Sequence, residues 1–121
     1  MERIGDAELA VMDVLWDEAP LTAAEVADRV PGERGWSINT VKTMLSRLCA
    51  KGVVSHEEEG RRYLYRPAVA REDYAAQESG RLLDRMFGGR LTPLVAHLAE
   101  RNRLSARDIE EIEALLKALK S

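Results

Sequence analysis

The sequence predicts a mainly α-helical chain with one small β-hairpin. Apolar residues recur at helical spacing through most of the chain, and helix caps, glycines and prolines separate the periodic stretches. One stretch alone, residues 53–67, is rich in β-forming residues around a central glycine, which is typical of a hairpin. With 121 residues, 45% of them hydrophobic, the chain is long enough for one modest domain with a helical appendage, and extensive disorder is excluded.

Capping signals predict the first two helices. The first covers about residues 6–18, with Gly5 as its N-cap, and Pro20 stops it. The second is short, about residues 23–30, and the pair Thr22 and Glu25 forms a capping box at its start. The residues expected to face the core are Leu9, Met12, Leu15, Trp16, Val26, Ala27 and Val30.

The third helix, residues 37–52, has two unequal faces. One is an apolar stripe at helical period, and the other carries short polar or cationic side chains without a single carboxylate. Such a helix is either an ordinary amphipathic surface helix or a recognition helix for DNA, where phosphates would repel Asp and Glu. Ser37 is its expected N-cap and Gly52 its stop. The stripe is expected to pack into the core with the first two helices, and it comprises Ile38, Val41, Met44, Leu45 and Leu48.

The charge distribution favours the recognition helix. The chain has a net charge of −3, but residues 1–28 carry −7, residues 29–66 carry +4 and residues 67–121 are neutral. Because screening limits distant charges to about 8 Å at physiological salt, a DNA-binding protein needs a local basic face rather than a basic total. The one positive block contains the third helix.

The hairpin completes a recognisable order. Residues 53–59 and 61–67 form its strands around Gly60, and Pro67 ends the second strand. Three helices followed by a two-stranded ribbon are typical of a winged helix-turn-helix domain, which we assign to residues 1–70.

Residues 71–121 predict three more helices, the first ending at Gly88–Gly89. Thr92 is expected to cap the next helix, and Ser105 with Asp108 forms a capping box for the last. These helices are too few to close a core alone, so we expect a helical dimerisation region that pairs with a second copy. Folding back onto the first domain is the alternative. The expected dimerisation residues are Leu83, Phe87, Leu94, Leu98, Ile109, Ile112 and Leu116.

Residues that support catalysis or metal binding are sparse. A single Cys49 excludes a disulfide framework, and with only His56 and His97 beside it the chain lacks the ligands of a structural zinc site. There is no P-loop, GxGxxG or paired-cysteine motif, so we expect no enzyme, cofactor or metal. Without a signal peptide or an apolar run of about 20 residues, a cytoplasmic location is expected.

The polar face of the third helix can be divided by expected role. Side chains near the start of a recognition helix reach base edges, and later ones hold phosphates. Asn39, Thr40 and Thr43 are the expected base readers, and Lys42, Ser46 and Arg47 are expected to hold the backbone. At the wing tip, Arg61 and Arg62 are expected to touch phosphate or to enter the minor groove. Arg34 and Lys51 are expected to be solubilising charges. A winged helix that binds another protein instead of DNA is the competing hypothesis.

These motifs together resemble the BlaI/MecI penicillinase-repressor family. The similar stretches are residues 6–16 (DAELAVMDVLW), 40–48 (TVKTMLSRL), 51–52 (KG), 63–67 (YLYRP), 83–89 (LDRMFGG), 94–95 (LV) and 109–113 (IEEIE). The resemblance implies a homodimeric transcriptional repressor that binds an inverted-repeat DNA operator and controls β-lactam-resistance or other stress genes.

The resemblance also implies a mode of release. In that family a membrane sensor-protease answers β-lactam, and the repressor is cut between Asn and Phe within its dimerisation helices. The matching positions here are His97 and Leu98, so the chain lacks the family's cleavage pair. A copper-responsive branch carries C-terminal Cys-x-Cys motifs, which this sequence lacks as well.

Overall fold

The structure, a computed structural model, describes residues 3–121, so the first two residues of the predicted first domain lie outside it. It divides into two compact units, one ending at Tyr74 and one spanning Ala75–Ser121. Over the described range, no helix is both long and apolar enough to cross a membrane. The elements are α1 (Asp6–Asp17), α2 (Ala23–Arg29), a 3₁₀ turn (Gly32–Arg34), α3 (Ile38–Ala50), β1 (Val54–Glu59), β2 (Arg62–Pro67), α4 (Arg71–Phe87), α5 (Leu91–Glu100) and α6 (Ala106–Lys120).

The predicted caps of the first unit are confirmed. Thr22 N–H donates to Glu25 Oε1 at 2.9 Å, and Glu25 N–H donates to Thr22 Oγ1 at 3.2 Å. Ser37 Oγ accepts from Thr40 N–H at 3.2 Å, which fixes the start of α3. At the other end, Gly52 adopts φ +77°, a conformation that glycine reaches without strain.

The apolar stripe of α3 forms the centre of the first unit's core. Val41, Leu45 and Leu48 are fully buried, and Met44 is nearly so. They pack with buried residues of the other elements, of which Val11, Met12, Leu15, Val26 and Val53 are the most enclosed. Leu9, Trp16 and Ala27 are only half-buried at the edge of this core.

Ile38 departs from the predicted stripe. Its side chain is 46% exposed, although it continues the spacing of Val41 and Leu45. Ile38 is the first residue of α3 and lines the groove next to the wing instead of packing among the buried residues. The expectation that Ile38 is a core residue is therefore wrong.

The hairpin is antiparallel with a two-residue turn. Its register pairs Glu59 with Arg62 beside the turn and His56 with Tyr65 further along. Gly60 in the turn has φ +65°. A further bridge joins the hairpin to the segment before α2, because Leu21 and Tyr65 exchange two backbone hydrogen bonds of 3.1 and 2.8 Å. This bridge fixes the wing next to the start of α2.

The first turn of α4 belongs to the first unit. Trp16 Nε1 donates to the Val69 carbonyl at 2.8 Å, and its ring lies 5.9 Å from that of the buried Tyr74. Arg71 lies over the same indole at 5.4 Å and forms an ion pair with Asp17 at 2.9 Å. These contacts explain why the compact units divide after Tyr74, whereas the sequence placed the domain boundary after residue 70.

The second unit consists of the rest of α4 with α5 and α6. The capping box of Ser105 and Asp108 is confirmed, with bonds of 3.0 and 3.1 Å. The expectation that Thr92 caps α5 is wrong, because the helix begins at Leu91 and Arg90 occupies the N-cap position without a side-chain bond. Among residues 75–121, all of them described, no side chain is buried.

Lys51 joins α3 to the start of α1 instead of acting only as a solubilising charge. Its Nζ donates to Glu8 Oε1 and to the Arg3 carbonyl, both at 2.8 Å. Burial by itself raises the pKa of Glu8. The hydrogen bonds from Lys51 and from Gly5 N–H, with the positive charges of Lys51 and Arg47, outweigh burial, so the pKa of Glu8 lies below its ordinary value of 4.5.

We expect Glu8→Gln to lower the free energy of unfolding at pH 7 by about 1–3 kcal/mol, because charge-assisted hydrogen bonds are lost. A lowered folded-state pKa stabilises the protein above the unfolded-state pKa, and this contribution is lost as the pH falls through the folded-state value. The variant should therefore show a flatter loss of stability below pH 4.5 in urea titrations.

Glu18→Gln, which breaks an exposed pair with Arg29, is the control and should lower the free energy of unfolding by less than about 0.5 kcal/mol. Equal acid sensitivity of wild type and Glu8→Gln would contradict this assignment.

Candidate nucleic-acid interface

The outward face of α3 is polar, exposed and free of carboxylates. Thr40 is half-buried because it supports the cap at Ser37, and the rest of the predicted face is exposed. The exposed members are Asn39, Lys42, Thr43, Ser46 and Arg47. The core fixes the opposite side of the helix, so these side chains are held in a defined register.

Two threonine hydroxyls of this face are already engaged. Thr43 Oγ1 donates to the Asn39 carbonyl one turn earlier at 3.1 Å, and Thr40 Oγ1 lies 3.2 Å from Ser37 Oγ. A hydroxyl that donates its proton within its own helix keeps only its acceptor lone pairs for a ligand. Thr43 therefore offers a ligand its γ-methyl group and an acceptor oxygen, but no hydroxyl donor.

The two cations of the face have no ion-pair partner within the described chain. Neither Lys42 nor Arg47 has a carboxylate within 4.0 Å among residues 3–121. Both side chains can therefore bind an anion outside the protein, although the charge of Arg47 also acts on Glu8 from beyond ion-pair distance. A row of unpaired cations on a helix face is the arrangement that binds DNA phosphates.

The wing carries paired charges and one unpaired arginine. Arg62 binds Glu59 at 2.7 Å, which raises the pKa of its guanidinium, and Arg66 binds Glu57 at 2.8 Å. Arg61, at the turn, forms no ion pair with any residue that the structure describes. Of the two predicted wing arginines, Arg61 is the one with a free charge, while Arg62 would have to leave Glu59 to reach a phosphate.

A groove of about 650 Å³ lies between α3 and the wing. It brings together four of the predicted DNA-binding residues, Lys42, Ser46, Arg61 and Arg62. The lining also includes residues that sequence reasoning did not assign: Thr22, Ala23, Ala24, Ile38, Tyr63 and Tyr65. These residues line one groove because the bridge between Leu21 and Tyr65 holds the wing beside the start of α2. No local sequence pattern reveals this long-range pairing.

The cysteine and the wing histidine lie together behind this groove. Cys49 Sγ and His56 Nδ1 are 3.5 Å apart, and the His56 ring packs on Tyr63 at 4.7 Å between centroids. Burial raises the pKa of the half-buried Cys49 thiol, which makes it a poor nucleophile. Across residues 3–121 no group of three or more His, Cys, Asp or Glu side chains is placed to hold a metal ion.

The family comparison covers both units. The penicillinase repressor family model matches residues 4–118. The chain belongs to this family. The match continues beyond the winged-helix unit through α4, α5 and most of α6.

Individual relatives agree with this assignment. The penicillinase repressor of Bacillus licheniformis is 35% identical over 98% of this chain and 93% of its own. The methicillin resistance regulatory protein MecI of Staphylococcus aureus (strain N315) is 26% identical over 94% of this chain and 93% of its own. The chain is thus similar to these two proteins over nearly their whole length.

Solved structures match part of the chain at about 40% identity and nearly all of it at lower identity. The B. licheniformis BlaI monomer, solved in complex with the blaP half-operator, is 40% identical and matches with a TM-score of 0.51 over 60% of this chain and 89% of its own. The DNA-binding domain of BlaI is 39% identical, with a TM-score of 0.52 over 61% and 94%. MarR from E. coli matches 96% of this chain and 77% of its own with a TM-score of 0.52, but at 19% identity it shows the fold alone. The predicted winged-helix fold is confirmed.

We expect the methyl group of Thr43, rather than its hydroxyl, to contribute to base reading. Thr43→Val keeps a methyl and loses only the bond to the Asn39 carbonyl, so it should retain discrimination at its operator position. Thr43→Ser keeps the hydroxyl, loses the methyl and should lose that discrimination by about fourfold, the contribution of one buried methyl group. Binding titrations with operators changed at single base pairs measure this, and the opposite ranking of the two variants would contradict it.

Proposed function

We propose that the protein is a DNA-binding transcriptional repressor that inserts α3 into the major groove of an operator and acts in the cytoplasm. The observation that carries this proposal is the carboxylate-free face of α3, whose cations Lys42 and Arg47 have no ion-pair partner in the described chain. Family membership supports it, because the matching family is that of the penicillinase repressors and one named relative is a penicillinase repressor. Since the second named relative is a regulatory protein as well, we propose a regulator rather than an enzyme.

We further propose that the functional unit is a homodimer formed through α4, α5 and α6. All seven predicted dimerisation residues are half-buried or exposed in the single chain. They are Leu83, Phe87, Leu94, Leu98, Ile109, Ile112 and Leu116. Further large apolar side chains of this unit are exposed as well: Leu82 (40%), Met86 (63%), Leu91 (59%), Leu115 (65%) and Leu119 (82%). So much exposed apolar surface needs a partner, and a second copy is the most economical one.

A symmetric dimer predicts the form of the operator. Two copies of α3 related by a twofold axis reach half-sites about 34 Å apart, or a multiple of one DNA turn. The operator should then be an inverted repeat, and by family analogy the genes it controls are expected to serve β-lactam resistance or another stress response.

Selection of bound DNA from a random pool by the full chain tests the proposal. The expected result is one enriched inverted repeat whose half-sites are one or two helical turns apart. A protein carrying both Lys42→Ala and Arg47→Ala is the matched control and should enrich nothing, since both substitutions lie on the exposed face and leave the core intact. Failure of the wild-type chain to enrich any sequence would refute DNA reading by α3.

We also propose that the protein is released from DNA when a membrane sensor-protease cuts the bond between His97 and Leu98. The bond lies inside α5, with His97 exposed and Leu98 half-buried. A protease needs an extended segment, so α5 must unwind locally before cleavage. Mass spectrometry of the chain after exposure to a sensor-protease from a strain that carries this repressor would locate the cut, and a cut elsewhere would refute this position.

A further inference from the structure

The first residue of α3 presents a large apolar side chain to the outside. Ile38 is 46% exposed and lines the groove between α3 and the wing, one turn before Lys42. The same groove is lined by apolar groups of two other elements, Ala23 and Ala24 from the start of α2 and Tyr65 from the wing. Ile38 is thus part of an apolar wall of the groove, and a contiguous apolar surface rimmed by polar residues is typical of a ligand-binding groove.

The surrounding face is more apolar than its sequence indicates. The Thr43 hydroxyl donates to the Asn39 carbonyl, and the Thr40 hydroxyl shares a hydrogen bond with Ser37 Oγ. The start of α3 therefore offers a ligand fewer free hydroxyl donors than its residue types indicate. Residues at the start of a recognition helix approach the base edges most closely. The major-groove edges of the four base pairs offer one apolar group, the C5-methyl of thymine.

We propose that Ile38 contacts the C5-methyl group of one thymine in each operator half-site and so helps to determine sequence specificity. This inference rests on the proposed function, because it requires α3 to lie in the major groove. Sequence periodicity does not reveal this role of Ile38, because the spacing of the residue places it in the apolar stripe of α3. The other residue of this face with an outward methyl, Thr43, lies more than one turn further along α3 and would meet a different base pair.

Replacement of thymine by deoxyuridine tests the contact directly, because uracil lacks the methyl and keeps the same base pairing. Each thymine of the selected operator is replaced in both half-sites at once, and the affinity of the full chain is measured. At one position wild type should lose about fourfold per half-site, as expected for one buried methyl group. Ile38→Ala should lose a similar factor on the thymine operator and show no further loss on the deoxyuridine operator.

Two further variants make the result specific to Ile38. Ile38→Val retains part of the side chain and should keep part of the deoxyuridine sensitivity. Leu64→Ala is the matched control, since Leu64 is a half-buried apolar residue of β2 that does not line the groove, and it should keep the wild-type sensitivity. Thermal unfolding of each variant verifies that the fold is intact, which the exposure of Ile38 leads us to expect.

Each remaining outcome has a defined meaning. If Ile38→Ala binds more weakly but keeps wild-type sensitivity at every thymine, the side chain contacts sugar or backbone and the inference is overturned. If wild type responds to no deoxyuridine at all, no methyl is read and the inference also fails. In both cases the proposed function stands, because it fails only when the chain binds no specific DNA.

Discussion

Ile112→Asp is expected to convert the protein into a monomer and to weaken binding to the full operator on the order of 100-fold or more, because the second half-site no longer binds as part of the same complex. Ile112 is half-buried on the apolar face of α6 that also carries Ile109 and Leu116. A carboxylate there would have to be buried without a partner in the dimer, at a cost of several kcal/mol. Sedimentation measures the oligomeric state, and titration of operator DNA measures the affinity.

Two controls separate loss of the dimer from loss of the fold. Affinity for an isolated half-site should be unchanged in Ile112→Asp, since the recognition face lies in the other compact unit. Lys117→Asp places a carboxylate on an exposed position of the same helix and should remain dimeric. An intact dimer in Ile112→Asp would show that this face of α6 is not the interface.

Arg47→Ala is expected to weaken binding to the operator and to random DNA by the same factor, on the order of tenfold per protomer, the value of a charge-assisted hydrogen bond. Arg47 is exposed near the end of α3 and has no carboxylate within ion-pair distance among residues 3–121. One lost phosphate contact per protomer makes the slope of log K against log salt concentration shallower by about 0.9, or about 1.8 for a dimer. Fluorescence anisotropy at several salt concentrations measures both quantities.

Arg107→Ala is the matched control for charge. It removes the same positive charge from an exposed position on α6, where Arg107 pairs with Glu111 at 2.9 Å, and should leave the slope unchanged. A loss of affinity confined to the operator in Arg47→Ala, with random DNA unaffected, would indicate that Arg47 contacts a base instead of a phosphate.

Much of the fold follows from local patterns. The capping boxes at Thr22 and Ser105, the glycine at the end of α3 and the stripe of Val41, Leu45 and Leu48 depend on residues close together in the chain, and each predicted its element correctly. The carboxylate-free face of α3 is likewise local. These signals are sufficient to predict three helices, a hairpin and the side of α3 that remains exposed.

The features that the sequence did not reveal depend on distant residues. Periodicity assigns Ile38 to the core because it cannot show which other elements lie beside the first turn of α3. Lys51 looked like a surface charge because its partner, Glu8, lies 43 positions earlier in the chain. Thr92 and Pro93 form a sound helix start, yet α5 begins at Leu91.

These long-range contacts change the interpretation of the interface. Arg62, a predicted DNA contact, already forms an ion pair with Glu59. The bridge between Leu21 and Tyr65 places apolar groups of α2 beside the wing. The groove beside α3 therefore combines free cations with an apolar wall. Such a surface can hold phosphates and distinguish a thymine methyl at the same time.

The salt dependence of operator binding is the most direct test of whether the protein binds operator DNA specifically and through phosphate contacts. The affinity of the full chain is measured for the selected operator and for a scrambled DNA of equal length between 50 and 200 mM salt, on the order of the range in which phosphate contacts dominate. We expect tighter binding to the operator throughout and a steep linear fall of log K with log salt concentration for both DNAs. A flat dependence, or equal affinity for the two DNAs, would contradict it and favour a winged helix that binds another protein.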